Sequence, residues 1–333
     1  MPMPNIVNYK VAELFGGIKL PAALTMKSWE PGNPLVPAAH GEYVFNPEEL
    51  SALLMFLAEP CGDALFLSGP TGCGKTSSVL EAAARLNWPV QAVTCRATME
   101  FADLVGHHAL VAPRPGEQPV MRFMYGPLPK AMAHGEILLL NELDLMDPAE
   151  LSGLNDVLEG RPLVIEQNGG MVIKPHPMFR VVATGNSAGA GDETGRYAGV
   201  QQQNLAAMDR FRMLLTDYPK PEVEKQILMK VTPALELLAP EMIALANEIR
   251  QSFLGEGEQH LSVTLSTRKL VQWAKLTVQL HRSPRPLKAA FELCLLNRCS
   301  KAERNALDVM CRQHFKSGWD NEFSTDEKGR IKP

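Results

Sequence analysis

The sequence holds no apolar run long enough to span a bilayer. Its opening residues, Met1-Pro2-Met3-Pro4-Asn5, carry neither a basic segment nor an apolar one. No export signal is therefore expected, and the chain is read as cytoplasmic. The six cysteines (61, 73, 95, 294, 299 and 311) include no C-x-x-C pair and no metal-ligand spacing. Reduced thiols are the expectation. Neither sign of charge is in large excess: 33 Lys and Arg stand against 37 Asp and Glu, a net −4. Bulk electrostatics thus makes no case for nucleic acid or an anionic membrane, and neither is expected as a partner. No internal repeat and no low-complexity tract is found. The 333-residue chain, 45% apolar and 21% charged, reads as a globular protein with room for two or three domains.

Against that plain background one segment stands out: Gly69-Pro70-Thr71-Gly72-Cys73-Gly74-Lys75-Thr76. It fits the phosphate-binding pattern G-x-x-x-x-G-K-[ST] at every fixed position. The apolar run Ala64-Leu65-Phe66-Leu67-Ser68 before it reads as a buried parallel strand, and the stretch from Ser77 to Leu86 reads as a helix. Glycines let backbone N–H groups close around an anion, and the helix N-terminus adds partial positive charge. Lys75 is expected to reach the β- and γ-phosphates of ATP, and the Thr76 hydroxyl to ligate Mg²⁺. Residues 69–77, ending with Ser77, form the expected nucleotide-binding set.

The rest of the chain divides around this segment. Residues 1–40 are proline-rich without sustained periodicity and read as an extension with one short helix. Asn46-Pro47-Glu48-Glu49 is a helix-start sequence, with Asn46 as cap and Glu49 at the capping-box position. From 41 to 220 apolar strands, expected at 64–68, 90–94, 136–140 and 179–184, alternate with helices, which indicates a parallel α/β sheet. From 221 to 316 the pattern is helical, with helices expected near 221–231, 238–253, 266–280 and 286–315. Gly255-Glu256-Gly257 and Ser283-Pro284 mark turns there. Residues 317–333 read as a polar, frayed tail.

A nucleotide-hydrolysing site needs an acidic strand end as well as a phosphate loop. Ile137-Leu138-Leu139-Leu140-Asn141-Glu142 supplies the strand and one acid. The first acidic position of such sites, usually Asp, orients Mg²⁺ and its waters; here it is Asn141, which hydrogen-bonds a metal-bound water without charge. Glu142 is the expected general base, with Asp144 two residues on. A third strand, from Phe179 through Gly185, ends at Asn186, placed to sense the γ-phosphate and orient water. Arg210 ends a helix expected near 199–208 and is the candidate arginine finger for a neighbouring subunit, with Arg212 as its rival. Arg268 starts a helix in the helical part and would couple that part to the γ-phosphate. A surface salt bridge or a solvated charge is the plain alternative for each arginine.

In this order the motifs resemble an AAA+ ATPase, and more finely the MoxR branch with its CobS-type subunit of aerobic cobaltochelatase. The resemblance rests on Lys174-Pro175-His176-Pro177-Met178-Phe179-Arg180 and Ala183-Thr184-Gly185-Asn186. It continues through Gly191-Asp192-Glu193-Thr194-Gly195-Arg196-Tyr197-Ala198-Gly199-Val200-Gln201-Gln202 to Met208-Asp209-Arg210-Phe211. It covers about 40–280 and departs at Asn141, where the family usually has Asp. The fold it implies is a P-loop NTPase sheet domain with two hairpin insertions and an all-helical lid. One hairpin, in helix 2, would span 104–128 around the turn Ala112-Pro113-Arg114-Pro115-Gly116-Glu117. The other, before Asn186, would span 161–174 around Asn168-Gly169-Gly170, a turn signal in its own right. Such hairpins face a pore or a partner in ring ATPases; covering a sheet edge is the plainer role.

The resemblance implies a homo-oligomer, a hexameric ring, working as a chaperone-like remodeller on a partner with a von Willebrand factor A-type domain. Nothing in the residues identifies cobalt, and the adjacent His107 and His108 are poor joint ligands for one ion. Asn141 favours a second reading, a nucleotide-held assembly scaffold with little hydrolysis. Glu142, Asn186 and Arg210 argue for turnover. A third reading, a motor in a nucleic-acid or defence system, has the acidic net charge and the lack of a nucleic-acid-reading module against it.

Overall fold

A computed structural model of the chain describes residues 5–332 except 17, 19, 20, 22, 113, 115–117, 192–194, 196, 198, 257–260 and 327–329. Asp192, Glu193, Thr194, Arg196 and Ala198 of the family-like stretch therefore lie outside the described residues. So do Pro113, Pro115, Gly116 and Glu117 of the first hairpin turn, and Gly257 of the helical part. The chain forms two compact units. One comprises Met1–His40, Pro47–Gly69 and Lys75–Thr216; the other comprises Gly41–Asn46, Pro70–Gly74 and Asp217–Pro333.

The first unit opens with more order than its composition suggests. β1 (Ile6–Lys10) and β2 (Thr25–Trp29) pair antiparallel, with the short helix α1 (Val11–Leu14) between them. What fixes this arm is long-range: the Trp29 indole N–H donates to the Gly135 carbonyl at 3.2 Å, and Trp88 Nε1 donates to the same oxygen at 3.1 Å. Neither contact leaves a local sequence pattern, which is why residues 1–40 read as an extension with one short helix and without strands.

The core of this unit follows its apolar runs. After α2 (Pro47–Ala58) come β3 (Ala64–Ser68), α3 (Lys75–Arg85), β4 (Val90–Thr94) and α4 (Phe101–Val105). The antiparallel hairpin β5 (Gly106–Val111) and β6 (Val120–Tyr125) precedes α5 (Pro127–His134) and β7 (Ile137–Asn141). Two short helices, α6 (Pro148–Leu151) and α7 (Asn155–Leu158), lead to a second hairpin, β8 (Leu163–Ile165) with β9 (Met171–Ile173). Then follow β10 (Arg180–Gly185), α8 (Leu205–Met208) and β11 (Phe211–Leu215). Both expected hairpin insertions are present.

Five of these strands form one parallel sheet in the order β11-β3-β10-β7-β4. β3 and β10 are buried at every position, the reason they appear in the sequence as unbroken apolar runs. β11 was not among the four expected strands. It is an edge strand with alternating burial and an arginine at its second position, so it lacks the apolar signature of its neighbours. The helix expected at 199–208 is correspondingly shorter. Asn204 caps it by accepting the Ala206 N–H at 2.9 Å, and only Leu205–Met208 is helical.

The second unit contains α9 (Pro221–Val231), α10 (Ala239–Leu254), α11 (Thr267–Gln279), α12 (Pro286–Cys294) and α13 (Lys301–Phe315) around one apolar core. The single helix expected over 286–315 is two. Ser300 and Glu303 make a capping box that starts α13 afresh, with Ser300 Oγ accepting the Glu303 N–H at 3.3 Å. Among the described residues no helix is long and apolar enough to cross a membrane.

The described residues of the tail are paired and packed rather than frayed. β12 (Ser324–Thr325) pairs with β13 (Ile331–Lys332), and Trp319 is fully buried. Its ring lies 5.6 Å from Phe291, and its N–H donates to Asp308 Oδ1 at 2.9 Å. Trp319→Ala is expected to destabilise this unit by about 3–5 kcal/mol, the cost of an emptied aromatic site. Urea unfolding followed by circular dichroism checks this; a change below about 1 kcal/mol would mean that the tail contributes nothing.

Candidate active site

The site is built where the carboxyl ends of β3, β10 and β7 lie side by side, the usual ligand edge of a parallel sheet. Gly185 pairs with Ser68, and Ala183 pairs with Leu140. The three following segments, which carry Gly69, Asn186 and Asn141-Glu142, therefore emerge together.

Lys75, Thr76 and Ser77 form the first turn of α3, where unpaired backbone N–H groups favour an anion. Lys75 is nearly buried. Its ammonium donates to the Gly69 carbonyl at 2.6 Å and to Asn186 Oδ1 at 3.2 Å. The Thr76 hydroxyl donates to Asn141 Oδ1 at 2.8 Å, and Thr184 Oγ1 approaches the same oxygen at 3.4 Å. Within this unit Lys75 is thus brought against Asn186, and Thr76 against Asn141. Ser77 is exposed on the same turn.

Glu142 is exposed and held in the left-handed region (φ 55°, ψ 44°). A non-glycine residue there is strained by about 1–2 kcal/mol. Its N–H donates to Thr184 Oγ1 at 3.2 Å, and its carbonyl accepts the Leu145 N–H at 3.0 Å, which secure the conformation. The effect is to turn a carboxylate outward from the end of a buried strand.

Asp144 is the functional residue whose weight the sequence does not reveal. It is fully buried, and its Oδ2 accepts the Asn186 N–H at 2.7 Å and the Ser187 N–H at 3.0 Å. Its carbonyl accepts the Gln201 N–H at 2.8 Å. One carboxylate therefore fixes the segment that presents Asn186. Gly185 must be glycine for this packing, since a Cβ there would lie 2.6 Å from Phe66 and 3.0 Å from Asp144 Cγ. The spacing Glu142-x-Asp144 was the available signal, but it carries no hint of a contact more than forty residues away. Nearby, burial and then the charges of Asp144 and Glu142 push the Cys95 thiol up to about 12. Cys95 stays protonated and is no nucleophile.

The two candidate finger arginines lie elsewhere on the sheet. Phe211 pairs with Ala64 and Leu215 with Ser68, so Arg210 sits beyond the amino end of β11. That is roughly 20 Å of strand from the level of Gly69, at ~3.3 Å per residue. Arg210 donates to Glu159 through Nε (2.8 Å) and Nη2, and to the Ala206 carbonyl. Arg212 donates to the Pro60 carbonyl at 3.1 Å and to Asp63 at 3.2 Å, and lies over the Phe56 ring. Neither arginine serves the Lys75 cluster of its own chain.

The loop segment Pro70–Gly74 belongs to the second unit. Cys73 is buried in it, and Thr71 is exposed. Gly72 has φ +71°, and a Cβ on it would lie 2.6 Å from Ser266 Oγ. Ser266 caps α11 by accepting the Lys269 N–H at 3.3 Å. Arg268, in the first turn of α11, donates its backbone N–H to the Gly72 carbonyl at 3.4 Å and leaves its side chain exposed.

Comparisons with known proteins give the chain's family. A family model for the AAA domain (dynein-related subfamily) matches residues 64–211, and one for the CbbQ/NirQ/NorQ C-terminal region matches 224–314. The aerobic cobaltochelatase subunit CobS of a Sinorhizobium species is 32% identical over 302 residues, covering 88% of this chain and 86% of that protein. An uncharacterized Staphylococcus haemolyticus protein is 27% identical over 250 residues, covering 74% of this chain and 89% of its own length. A Staphylococcus aureus protein is 28% identical over 194 residues, covering 58% of this chain and 70% of its own. With Lys75 set against Asn186 and Thr76 against Asn141, and with these family and relative matches, the chain belongs to the AAA+ ATPases of the MoxR branch, CobS type.

Proposed function

We propose that the protein binds and hydrolyses ATP as a ring subunit and passes the resulting conformational change to a protein partner. The observation that carries this reading is the Lys75–Asn186 and Thr76–Asn141 contact pair at the ends of three adjacent strands. Lys75 and the first-turn N–H groups of α3 would hold the phosphates, and Asn186 would orient the attacking water. Glu142, turned outward by its backbone, would take that water's proton.

The oxygen donors Thr76 Oγ1 and Asn141 Oδ1, 2.8 Å apart, suit a hard divalent cation such as Mg²⁺. Mg²⁺ bound there would neutralise developing phosphate charge. Asn141 would reach the ion's water shell as a neutral acceptor. Asn141→Asp is accordingly expected to raise turnover about tenfold, roughly 1.4 kcal/mol of transition-state stabilisation. Phosphate release by the two proteins, measured side by side, decides it. Tight ATP binding with negligible wild-type turnover, revived by Asp, would favour the scaffold reading. Lys75→Ala is expected to weaken binding of a fluorescent ATP analogue more than a hundredfold, the loss of a charged phosphate contact in a nearly buried position. Retained binding would remove the basis for the whole reading.

The position of Arg210 supports assembly. Lying at the amino edge of the sheet, it is useful to an active site only if that site belongs to a neighbour. A homo-oligomeric ring, hexameric in this family, supplies one. The two hairpins are the natural surface for the partner. Met121, Met124, Met171 and Val172 are exposed on them, and Tyr125 Oη contacts Met171 Sδ at 2.7 Å, linking one hairpin to the other. Exposed methionines adapt to varied apolar surfaces. A von Willebrand factor A-type domain is the partner this family suggests, and pull-down with each hairpin replaced by a short turn would test the surface.

A further inference from the structure

We infer that Tyr218, Arg250, Glu224 and Thr267 form a positioning set that holds the Thr71 and Gly72 carbonyls and the Arg268 backbone in one geometry. This set would tune nucleotide affinity and turnover from within the helical unit. The inference rests on the ATPase reading above.

Its centre is an ion pair with almost no exposure. Arg250 is 5% exposed and Glu224 0%, and they meet through two parallel hydrogen bonds of 3.0 and 2.7 Å. A buried pair of this kind adds little net stability over an apolar contact of the same shape, because both ions must be desolvated. Its use is to fix register, and here its spare bonding capacity is spent on register. Arg250 Nε donates to the Leu265 carbonyl at 2.9 Å, Nη1 donates to Asn247 Oδ1 at 2.8 Å, and the Thr267 hydroxyl donates to Glu224 Oε1 at 2.6 Å. Helices α9, α10 and the start of α11 are locked by these contacts.

The set then reaches the phosphate loop. The Tyr218 ring lies 4.1 Å from the Arg250 guanidinium carbon, and its hydroxyl donates to the Thr71 carbonyl at 3.1 Å. One residue on, the Gly72 carbonyl accepts the Arg268 N–H at 3.4 Å. The loop is therefore tied at Thr71 to the buried pair, and at Gly72 to the helix that the same pair anchors. Neither Arg250 nor Glu224 is assigned to phosphate; both act through Tyr218 and Thr267.

The test uses the full-length chain, a fluorescent ATP analogue and steady-state phosphate release. Tyr218→Phe keeps the ring on Arg250 and removes only the hydroxyl. Analogue Kd is expected to rise about three- to tenfold, the size of one hydrogen bond. Arg250→Lys keeps the charge but loses the fork and the stacking. It is expected to lower kcat about tenfold or more and to make the further loss from Arg268→Ala much smaller than in the wild-type background. A merely structural role would lower the melting temperature and leave the two kinetic effects additive. An unchanged Kd in Tyr218→Phe, or strict additivity of Arg250→Lys and Arg268→Ala, overturns the inference. Lys75→Ala run in parallel separates the two failures. If it still binds the analogue, the ATPase reading itself fails; if it does not, only the positioning set does.

Discussion

Glu142→Gln is expected to lower steady-state phosphate release by about two to three orders of magnitude, the usual contribution of a general base, while ATP affinity stays within about threefold of wild type. The substitution keeps the shape of the side chain. The cradle that would hold the phosphates, Lys75 on Gly69 and Asn186, does not touch the Glu142 carboxylate. The backbone bonds that hold residue 142 in its left-handed conformation use its own N–H and carbonyl, so they survive the change. Binding and chemistry should therefore separate cleanly. Filter retention of radiolabelled ATP beside a phosphate-release assay checks both arms. Turnover within threefold of wild type would remove Glu142 from the mechanism and leave the buried Asp144 as the nearest carboxylate to consider.

Arg210→Ala should have an effect of similar size by a different route. An arginine finger supplied by a neighbour is worth roughly a thousandfold or more in turnover. The substitution should leave the fold intact, because Glu159 keeps Arg161 as a partner at 2.5 Å. Nucleotide affinity should be little changed. Mixing Arg210→Ala with Lys75→Ala should restore part of the activity, since each mutant supplies what the other's interface lacks. Arg212→Ala should be mild, because Arg212 is occupied with Pro60 and Asp63 on its own chain. No recovery on mixing, or a larger loss from Arg212→Ala, would count against the assignment.

Much of this arrangement is legible in the residues. The strands expected at 64–68 and 90–94 coincide with β3 and β4, and those at 136–140 and 179–184 fall one residue from β7 and β10. Of these, β3, β7 and β10 are buried on both faces over nearly all their length, so their composition alone marks them. The helix expected at 221–231 coincides with α9, whose start is fixed by Pro221. The phosphate loop is legible because its chemistry demands particular residues at particular positions. The parts that were not legible depend on partners distant in sequence. β11 alternates instead of running apolar because it lies at the sheet edge, and its pairing with β3 spans almost 150 residues. The arm at 1–40 is held by an indole bond to Gly135. Asp144 looked like a spare acid because its bonds are to Asn186 and Ser187. The break before α13 was within reach, since Ser300-x-x-Glu303 is a local signal, but the surrounding apolar periodicity masked it.

The four tryptophans of the sequence are divided evenly and all are buried, Trp29 and Trp88 in the first unit and Trp273 and Trp319 in the second. In optical terms each unit carries its own pair of reporters. Trp29 and Trp88 share one carbonyl acceptor, and Trp29 lies 5.3 Å from the His176 ring, a quencher when protonated. The second pair is separated by the Phe291 ring, which touches both at 4.7 and 5.6 Å. Replacing one pair with phenylalanine leaves the intrinsic emission of the chain reporting on a single unit, so the unfolding of each can be followed without an added label.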